Sequence, residues 1–282
     1  MPPLTEHQAS KITKLIILGD STSGKTGSLA SLACAGYNLR IIDLDNNADV
    51  LYDYLTSPKS PYPPGHAQNV RIITLTDPLK NISGKIYFAK SVVWPKVMSL
   101  LDNWTDGEEK LGPVTNWGEK DILVIDSLSK LAEAALTFHL AMNNKLFATP
   151  NGNEARRDIG IAQSMIDKFL SWLKYDGIKC NIIVICHIKY VNERGTTPDD
   201  ITGERPQKGW PNALGAALSP LIPRHFPTML LYEKQTFGNT TKRMIYTQPR
   251  GVTDAKTSAP TKVLPAYPIE SGLADYFAAL RS

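Results

Sequence analysis

Six short apolar segments, separated by helix-like stretches, constrain the fold of this chain more than any other sequence feature. Several are continuous apolar runs rather than alternating patterns, which is typical of strands buried on both faces of a parallel sheet. The segments are Leu15–Leu18, Leu39–Leu44, Val70–Leu75, Ile122–Ile125, Ile182–Ile185 and Met229–Tyr232. Strands that alternate with helices predict an α/β domain, with a mostly parallel, twisted β-sheet flanked by helices.

The stretches between these segments contain the predicted helices and several long loops. The helices are Thr26–Ala35, Val92–Trp104, Leu128–Leu140, Ile159–Tyr175 and Ser271–Arg281. The loops are Ser57–Asn69, Asp106–Lys120, Asn143–Arg157 and Lys189–Asn212. Loops of this length inside a compact domain are usually functional or disordered.

Composition excludes several classes of protein. The 282 residues, 42% hydrophobic and 21% charged, are typical of a globular domain with its own core. The net charge of +4 permits an anionic partner without requiring one. The three cysteines, Cys34, Cys180 and Cys186, fit no zinc motif and indicate buried thiols. We find neither a signal-peptide core nor an apolar run of about 18 residues, so we expect a soluble, cytoplasmic protein without a membrane partner.

The first apolar segment leads into the sequence GDSTSGKT at residues 19–26, which matches G-x-x-x-x-G-K-[ST] between a strand and a helix. In such a loop the backbone N–H groups surround phosphate oxygens. Lys25 is predicted to hold the β- and γ-phosphates of ATP, and Thr26 to hold Mg²⁺. A chance match in a Gly/Ser-rich turn does not explain the strand, the helix and a second motif downstream. The predicted cofactor-binding residues are Gly19, Asp20, Ser21, Thr22, Ser23, Gly24, Lys25, Thr26 and Gly27.

Acidic residues end two other predicted strands. Asp126 follows the run Ile122–Ile125, where its carboxylate can serve Mg²⁺ beside the phosphate loop. Asp43 and Asp45 lie at the end of the run Leu39–Leu44, the first strand after the phosphate-loop helix, and share one face because side chains alternate along a strand. We predict that Asp45, the outermost, polarises the attacking water; the alternative is a solvated carboxylate that caps a turn.

His187 ends a fourth predicted strand, directly before the long loop Lys189–Asn212. Either ring nitrogen could hydrogen-bond the γ-phosphate and so report its presence to that loop. The alternative is a partly buried histidine with a purely structural hydrogen bond.

These four strand ends, in this order, resemble the ATPase core of the RecA-type recombinases. IIDLD looks like the RecA strand that ends in its catalytic glutamate, with Asp45 at that position, and ILVIDSL resembles the magnesium-aspartate strand. IIVICHI is similar to the strand that ends in the γ-phosphate-sensing glutamine, with His187 there instead. The resemblance spans roughly residues 14–260 and implies an ATPase that depends on Mg²⁺ and on self-assembly into a ring or filament.

The resemblance also divides the chain and narrows the family. It implies an N-terminal tail at 1–13, the core at 14–260, and a C-terminal extension at 261–282 with a short helix. RecA's long N-terminal oligomerisation segment and C-terminal DNA-capturing domain have no counterpart. The chain therefore looks most like the phage-encoded RecA-like single-strand annealing ATPases, which would place it in the host-cell cytoplasm. Aspartate in place of the catalytic glutamate is one methylene shorter and implies slow turnover.

RecA-like ATPases complete their site with a cation from the neighbouring subunit. The sequence DAKTSAP resembles that lysine-bearing segment, with Lys256 at the first cation position and Ser258 at the second. Arg250 is a nearby substitute. The alternative for Lys256 is an ordinary solvated lysine.

By the same resemblance, Asn143–Arg157 and Lys189–Asn212 correspond to the two DNA-binding loops. The charges of the second loop cancel, so composition alone does not indicate nucleic-acid binding. Aromatic residues there could stack on bases or could pack as hydrophobic anchors. The predicted DNA contacts are Lys145, Arg156, Arg157, Lys189, Tyr190, Arg194, Arg205, Lys208 and Trp210.

The function that this resemblance implies is an ATP- and Mg²⁺-dependent protein that binds single-stranded DNA and promotes annealing or strand pairing in recombination. One rival is a ring-forming helicase or translocase. A second rival is a nucleotide-dependent regulatory adaptor that binds protein rather than DNA. A small-molecule kinase is disfavoured because the sequence has no arginine-rich lid.

Overall fold

An eight-stranded sheet is the centre of the computed structural model, which describes residues 11–107, 109–147, 152–192, 207–238 and 240–282. The described strands are β1 (Lys14–Gly19), β2 (Asn38–Asp43), β3 (Val70–Thr74), β4 (Leu79–Ile82), β5 (Lys85–Phe88), β6 (Trp104–Asp106), β7 (Glu109–Gly112), β8 (Asp121–Asp126), β9 (Asn181–Cys186), β10 (Ile188–Asn192), β11 (Gln207–Pro211), β12 (Thr228–Phe237), β13 (Thr240–Tyr246) and β14 (Ala266–Pro268). The described helices are α1 (Leu29–Cys34), α2 (Asp49–Thr56), α3 (Val93–Asp102), α4 (Leu128–Met142), α5 (Gly152–Leu173), α6 (Gly215–Leu218) and α7 (Ile269–Arg281).

The strand order of the main sheet is β14-β13-β12-β1-β9-β8-β2-β3. The strands from β12 to β3 pair in parallel, whereas β13 and β14 add an antiparallel edge. Three separate two-stranded ribbons, β4–β5, β6–β7 and β10–β11, complete the described strands. The predicted fold class, a mostly parallel sheet flanked by helices, is confirmed.

The sheet is buried on both faces, which explains the continuous apolar runs of its central strands. In β1, Ile16 and Leu18 belong to the core beneath α3, α4 and α5. Leu15 and Ile17 belong to the opposite core, which contains buried residues of α1, α2 and α7. Every strand residue from Leu15 to Leu18 is fully buried. Two-sided burial holds the carboxyl ends of β1, β2, β8 and β9 at one edge of the sheet.

The helix after the phosphate loop is shorter than predicted. The prediction Thr26–Ala35 is wrong at its start, because α1 begins at Leu29. Before it, Leu29 N–H donates to the Thr26 carbonyl and Ala30 N–H to the Gly27 carbonyl, the i−3 pattern of successive tight turns. α2 was not predicted; its buried residues are Leu51 and Leu55, too few for a clear apolar face.

All four predicted loops contain regular structure: Ser57–Asn69 ends in a 3₁₀ turn, and Asp106–Lys120 contains β7 and a second 3₁₀ turn. α5 begins at Gly152, so the last residues of the predicted loop Asn143–Arg157 are helical. The predicted loop Lys189–Asn212 begins and ends in an antiparallel ribbon, β10 with β11. This ribbon begins immediately after His187 and therefore at the same sheet edge as the strand ends.

The C-terminal residues pack into the main body. β14 pairs with β13 at the sheet edge, and α7 buries Leu273, Tyr276 and Phe277 in the core on the α1 side. The division of the chain at residue 260 stays a prediction, and the structure joins both sides of it in one sheet and core.

Two observations complete the description of the described ranges. None of their helices is long and apolar enough to cross a membrane. All three cysteines are free thiols; Cys180 and Cys186 are buried and Cys34 is partly exposed.

Candidate nucleotide site

The phosphate loop turns sharply after β1, and its glycines permit that path. A Cβ at Gly19 would lie 2.7 Å from the Tyr232 carbonyl oxygen of the neighbouring strand, a backbone atom that cannot move aside. Gly24 has a φ of +95°, in the left-handed region that favours glycine. Both predicted glycines of the motif are therefore needed for the shape of the loop.

Lys25 lies within this loop with its side chain buried. Its Nζ donates to the carbonyl oxygens of Gly19 and Asp20, each at 2.8 Å. Burial lowers the pKa of Lys25, an effect that the nearby carboxylates of Asp126, Asp20 and Asp45 oppose. The loop thus places one partly desolvated ammonium group where the motif requires it.

Thr26 and Asp126 meet as the sequence predicted. The Thr26 hydroxyl donates to Asp126 Oδ2 at 2.6 Å. Burial, together with the neighbouring carboxylates of Asp45 and Asp43, raises the pKa of Asp126 to about 6, although the Thr26 hydrogen bond acts in the opposite direction. A carboxylate in this position is stabilised by a cation.

These two residues fit a magnesium ion that also binds phosphate. A hydroxyl and a carboxylate are hard oxygen ligands, and Mg²⁺ commonly takes one or two protein ligands together with phosphate oxygens and water. Within the described ranges, no three His, Cys, Asp or Glu side chains converge as a metal-binding group. Thr26 and Asp126 would hold the ion, whose charge would neutralise that of the phosphates.

Asp43 lies beside Asp126 because β2 and β8 pair in parallel with these two residues in register. Its side chain is buried, and Oδ2 has no hydrogen-bond partner among the residues that the structure describes. Asp43 therefore adds a second buried acidic group to this edge, which strengthens the electrostatic case for a cation there.

Asp45 and His187 form a pair across the sheet edge. His187 Nε2 donates to Asp45 Oδ2 at 3.2 Å. Burial alone would raise the pKa of Asp45, but hydrogen bonds from His187 and Ser127 outweigh it and lower that pKa. Asp45 is thus kept ionised, as a group that accepts or orients a proton must be, and His187 holds it in place.

One cleft brings these groups together. It has a volume of about 480 Å³ and is bordered by the phosphate loop, the ends of β2, β8 and β9, and α2. Its lining residues are Ser21, Thr22, Gly24, Lys25, Thr26, Gly27, Asp45, Asn47, Asp49, Val50, Tyr54, Asp126, His187 and Arg243. The four strand ends that the sequence singled out therefore face a single space.

Five lining residues were not predicted from the sequence, namely Asn47, Asp49, Val50, Tyr54 and Arg243. Tyr54 belongs to α2, which had no clear helical pattern, and Arg243 belongs to β13, far along the chain. Lys234 on β12 reaches the loop as well, through Thr22. No local pattern links a loop at residue 22 to strands more than 200 residues away; only the sheet order brings them together.

Lys256 does not line this cleft. Its backbone pairs with Met229, and its Nζ donates to the Pro223 carbonyl at 2.8 Å. Arg250 donates to Glu233 Oε2 at 2.6 Å and stacks on the Tyr246 ring. A contribution of Lys256 or Arg250 to the site of a second subunit stays a prediction.

Of the predicted DNA contacts of the first loop, Arg156 and Arg157 lie on α5, and Lys145 lies just after α4. Lys145 forms ion pairs with Glu154 at 2.6 Å and with Asp158 at 3.3 Å. Arg156 and Arg157 are exposed on the first turns of α5. Two of these three cations are therefore free to meet an anionic partner.

In the second loop, the β10–β11 ribbon separates the predicted residues by face. Lys189 lies opposite Trp210, and Lys208 is two residues before Trp210 on the same face. Lys208 also pairs with Asp254 at 2.9 Å and lies over the Trp210 ring. Tyr190 points the other way and donates to Asp20 Oδ2 at 3.3 Å. Arg194 and Arg205 lie outside the described residues.

Comparisons with known proteins give no family. No family model and no curated protein matches the chain. The flagellar accessory protein FlaH from Methanocaldococcus jannaschii is 13% identical, with 92% of this chain and 87% of that one covered and a TM-score of 0.43. The RadB recombinase is 15% identical, with 92% of this chain and 89% of that one covered and a TM-score of 0.45. A KaiC-like protein from Pyrococcus horikoshii OT3 is 10% identical, with 91% of this chain and 84% of that one covered and a TM-score of 0.39. The fold class of this chain rests on its own sheet order.

Proposed function

We propose that this chain is a RecA-like, ATP- and Mg²⁺-dependent ATPase that binds single-stranded DNA and promotes annealing or strand pairing. The observation that carries the proposal is the single cleft in which Lys25, Thr26, Asp126, Asp45 and His187 converge. Each of the five ends or follows a strand of the same sheet edge, in the order that resembles the RecA core.

Hydrolysis follows from the roles of these side chains. Lys25 and the loop N–H groups bind the phosphates, and Thr26 with Asp126 would hold Mg²⁺. Asp45 is ionised and held by His187, so it can orient a water molecule and accept its proton. A phosphate at the end of this cleft would compete with Asp45 for the His187 N–H.

The link to DNA is the β10–β11 ribbon. It starts one residue after His187, and Asn212 N–H closes its base by donating to the His187 carbonyl at 2.7 Å. One face of the ribbon carries Lys189, Lys208 and Trp210, a mixture of cations and an aromatic ring that suits a sugar-phosphate chain with unstacked bases. A change at His187 would therefore be transmitted directly to the DNA-binding face.

The test combines turnover with annealing. ATP hydrolysis is measured with and without single-stranded DNA, and the annealing of complementary oligonucleotides is followed in the same buffer, with Lys25→Ala as the inactive control. Stimulated turnover together with ATP-dependent annealing supports the proposal. Processive unwinding would instead identify a ring-forming motor, and phosphate transfer from ATP to a metabolite would identify a kinase.

A second candidate is a nucleotide-dependent regulator that binds protein. The observation that favours it is the pairing of the loop cations with acidic residues of the same chain, namely Lys145 with Glu154 and Lys208 with Asp254. Such pairs reduce the positive charge available for phosphate contacts. ATP binding with no effect of DNA on turnover at low salt would favour this regulator.

A further inference from the structure

The hairpin formed by β12 and β13 extends past the end of β1 and lies beside the phosphate loop. β12 runs parallel to β1, and the pairing ends at Gly19 with Tyr232. Lys234 is two residues beyond that point, and Arg243 lies directly opposite it on β13. Cross-strand neighbours point to the same face, so both cations project from one side of the hairpin.

Both cations contact the same residue of the loop. Lys234 Nζ donates to the Thr22 hydroxyl at 2.9 Å, and Arg243 Nε donates to the Thr22 carbonyl at 3.0 Å. Thr22 has a φ of +66°, a left-handed conformation that a threonine adopts only when its surroundings hold it there. The hairpin therefore stabilises a backbone shape that the loop would not keep alone.

Arg243 also borders the nucleotide cleft. Its Cδ packs over Gly24, 3.2 Å from the position where a Cβ would stand. Nε is used by Thr22, while the two terminal nitrogens of the guanidinium form no hydrogen bond to any residue that the structure describes. They remain as donors beside Lys25 and Thr26, and a guanidinium fork matches the geometry of phosphate oxygens.

The charges around the cleft indicate how the hairpin cations would favour nucleotide binding. The cleft edge formed by the strand ends carries the carboxylates of Asp43, Asp45 and Asp126, which repel a polyphosphate. Lys25 is the cation of the loop itself. Two further positive charges on the opposite side of the loop would favour the anionic ligand over the empty, repulsive arrangement.

We propose that Lys234 and Arg243 form a cationic clamp supplied by the same subunit, in which Lys234 positions the loop through Thr22 and Arg243 additionally binds a phosphate of the nucleotide. The inference rests on the proposed nucleotide binding and extends it to residues outside the motif. It differs from the predicted role of Lys256, which would act on another subunit.

The experiment measures the affinity of the full chain for a fluorescent ATP analogue and for its ADP counterpart. The variants are R243A, R243Q, R243K and K234A. The matched control is Lys242→Ala, which removes an exposed cation next to Arg243 that points to the other face of the hairpin. Thermal unfolding of each variant tests whether it is folded.

We expect R243A to weaken binding of both nucleotides about tenfold to a hundredfold, the usual effect of losing a hydrogen bond to a charged group. R243K should recover part of this loss and K234A should cost about threefold to tenfold. K242A should bind like the wild type. R243Q keeps a donor for Thr22 without the charge, so it should lose affinity and also show a weaker dependence of affinity on salt.

Wild-type affinity in R243A and R243Q would overturn the clamp and leave the nucleotide site intact. If R243A does not fold, R243Q decides by the same criterion. A wild-type chain that binds neither nucleotide would instead overturn the proposed function, and the clamp with it.

Discussion

Two carboxylates at the same sheet edge have opposite electrostatic situations. Asp126 is buried beside Asp43 and Asp45, and its pKa is raised to about 6. Asp45 is also largely buried, but hydrogen bonds from His187 and Ser127 lower its pKa. These environments suit the two carboxylates to different roles. The destabilised anion of Asp126 favours binding of a metal cation, whereas the stabilised anion of Asp45 stays ionised as a proton acceptor.

Asp126→Asn should raise the stability of the nucleotide-free chain. The native state binds a proton at Asp126 between the ordinary pKa of 3.8 and about 6, where the unfolded state does not. Stability from this group is therefore present at low pH and is lost as pH rises through about 6. At about pH 8 the free energy of unfolding should rise by about 1–3 kcal/mol in the variant, and the difference should vanish near about pH 4. Urea titrations at both pH values measure it; a destabilised variant at about pH 8 would contradict the prediction.

Asp45→Asn should have the opposite sign. A lowered pKa means that ionised Asp45 stabilises the native state above the ordinary value of 3.8, and this contribution is lost as pH falls through the lower native pKa. The substitution weakens the hydrogen bond from His187 and should cost about 1 kcal/mol of unfolding free energy at about pH 8. The same urea titrations provide the measurement. Equal signs for the two variants would show that the two environments do not differ as the structure indicates.

At the scale of elements, the β10–β11 ribbon is joined to the nucleotide cleft at two points. His187 directly precedes it and contacts Asp45, while Tyr190 on the ribbon donates to Asp20 of the phosphate loop. A change in either contact would therefore move the ribbon. Coupling between the nucleotide cleft and the ribbon requires that the ribbon differ between the nucleotide states.

His187→Ala should therefore separate ATP binding from the response to DNA. Lys25, Thr26 and Asp126 remain, so affinity for ATP should change by less than about threefold. Stimulation of turnover by single-stranded DNA should be lost, because the ribbon no longer senses the end of the cleft. The ratio of turnover with and without DNA is the measurement, and Tyr190→Phe tests the second contact in the same assay. Full stimulation in both variants would show that the ribbon carries no coupling.

For the molecule as a whole, the parts that the sequence predicted well are those governed by burial. Strands such as β1 and β9 are continuous apolar runs because both faces are covered, and this pattern is visible in one short window. The predicted start of α1 was wrong because a local sequence pattern does not distinguish a run of tight turns from the first turn of a helix. α2 was missed because its apolar face is narrow.

The residues of the site also divide into those that a local sequence pattern predicts and those that it does not. Lys25, Thr26, Asp45, Asp126 and His187 each follow an apolar strand, and the rule that parallel strands end at one edge brings them together. Lys234 and Arg243 follow no such rule, because their contacts with Thr22, across 212 and 221 residues of chain, depend on β12 pairing with β1. Long-range sheet order is the information that a local pattern lacks.

The position of Lys256 makes self-assembly testable at the same scale. Its backbone pairs with Met229, which is in register with Ile16, three residues before Gly19. At about 3.3 Å per residue, Lys256 lies about 10 Å below the start of the phosphate loop, and its Nζ is bound by Pro223. Lys256 therefore does not reach the cleft of its own subunit, and we expect any contribution it makes to a nucleotide site to be made to another subunit, through a head-to-tail interface.

Mixing two inactive variants tests this arrangement. Lys256→Ala alone should lose about tenfold or more of the DNA-stimulated turnover, as expected for a cation supplied by a partner, without loss of ATP affinity. In a random equal mixture with Lys25→Ala, half the sites have their own Lys25 and half of those face a partner with Lys256. About a quarter of wild-type turnover should then return in a head-to-tail assembly. The control mixes Lys256→Ala with the variant that carries both Lys25→Ala and Lys256→Ala, and it should recover no turnover. Full activity of Lys256→Ala alone would show that this lysine is an ordinary surface residue and that any partner cation comes from elsewhere.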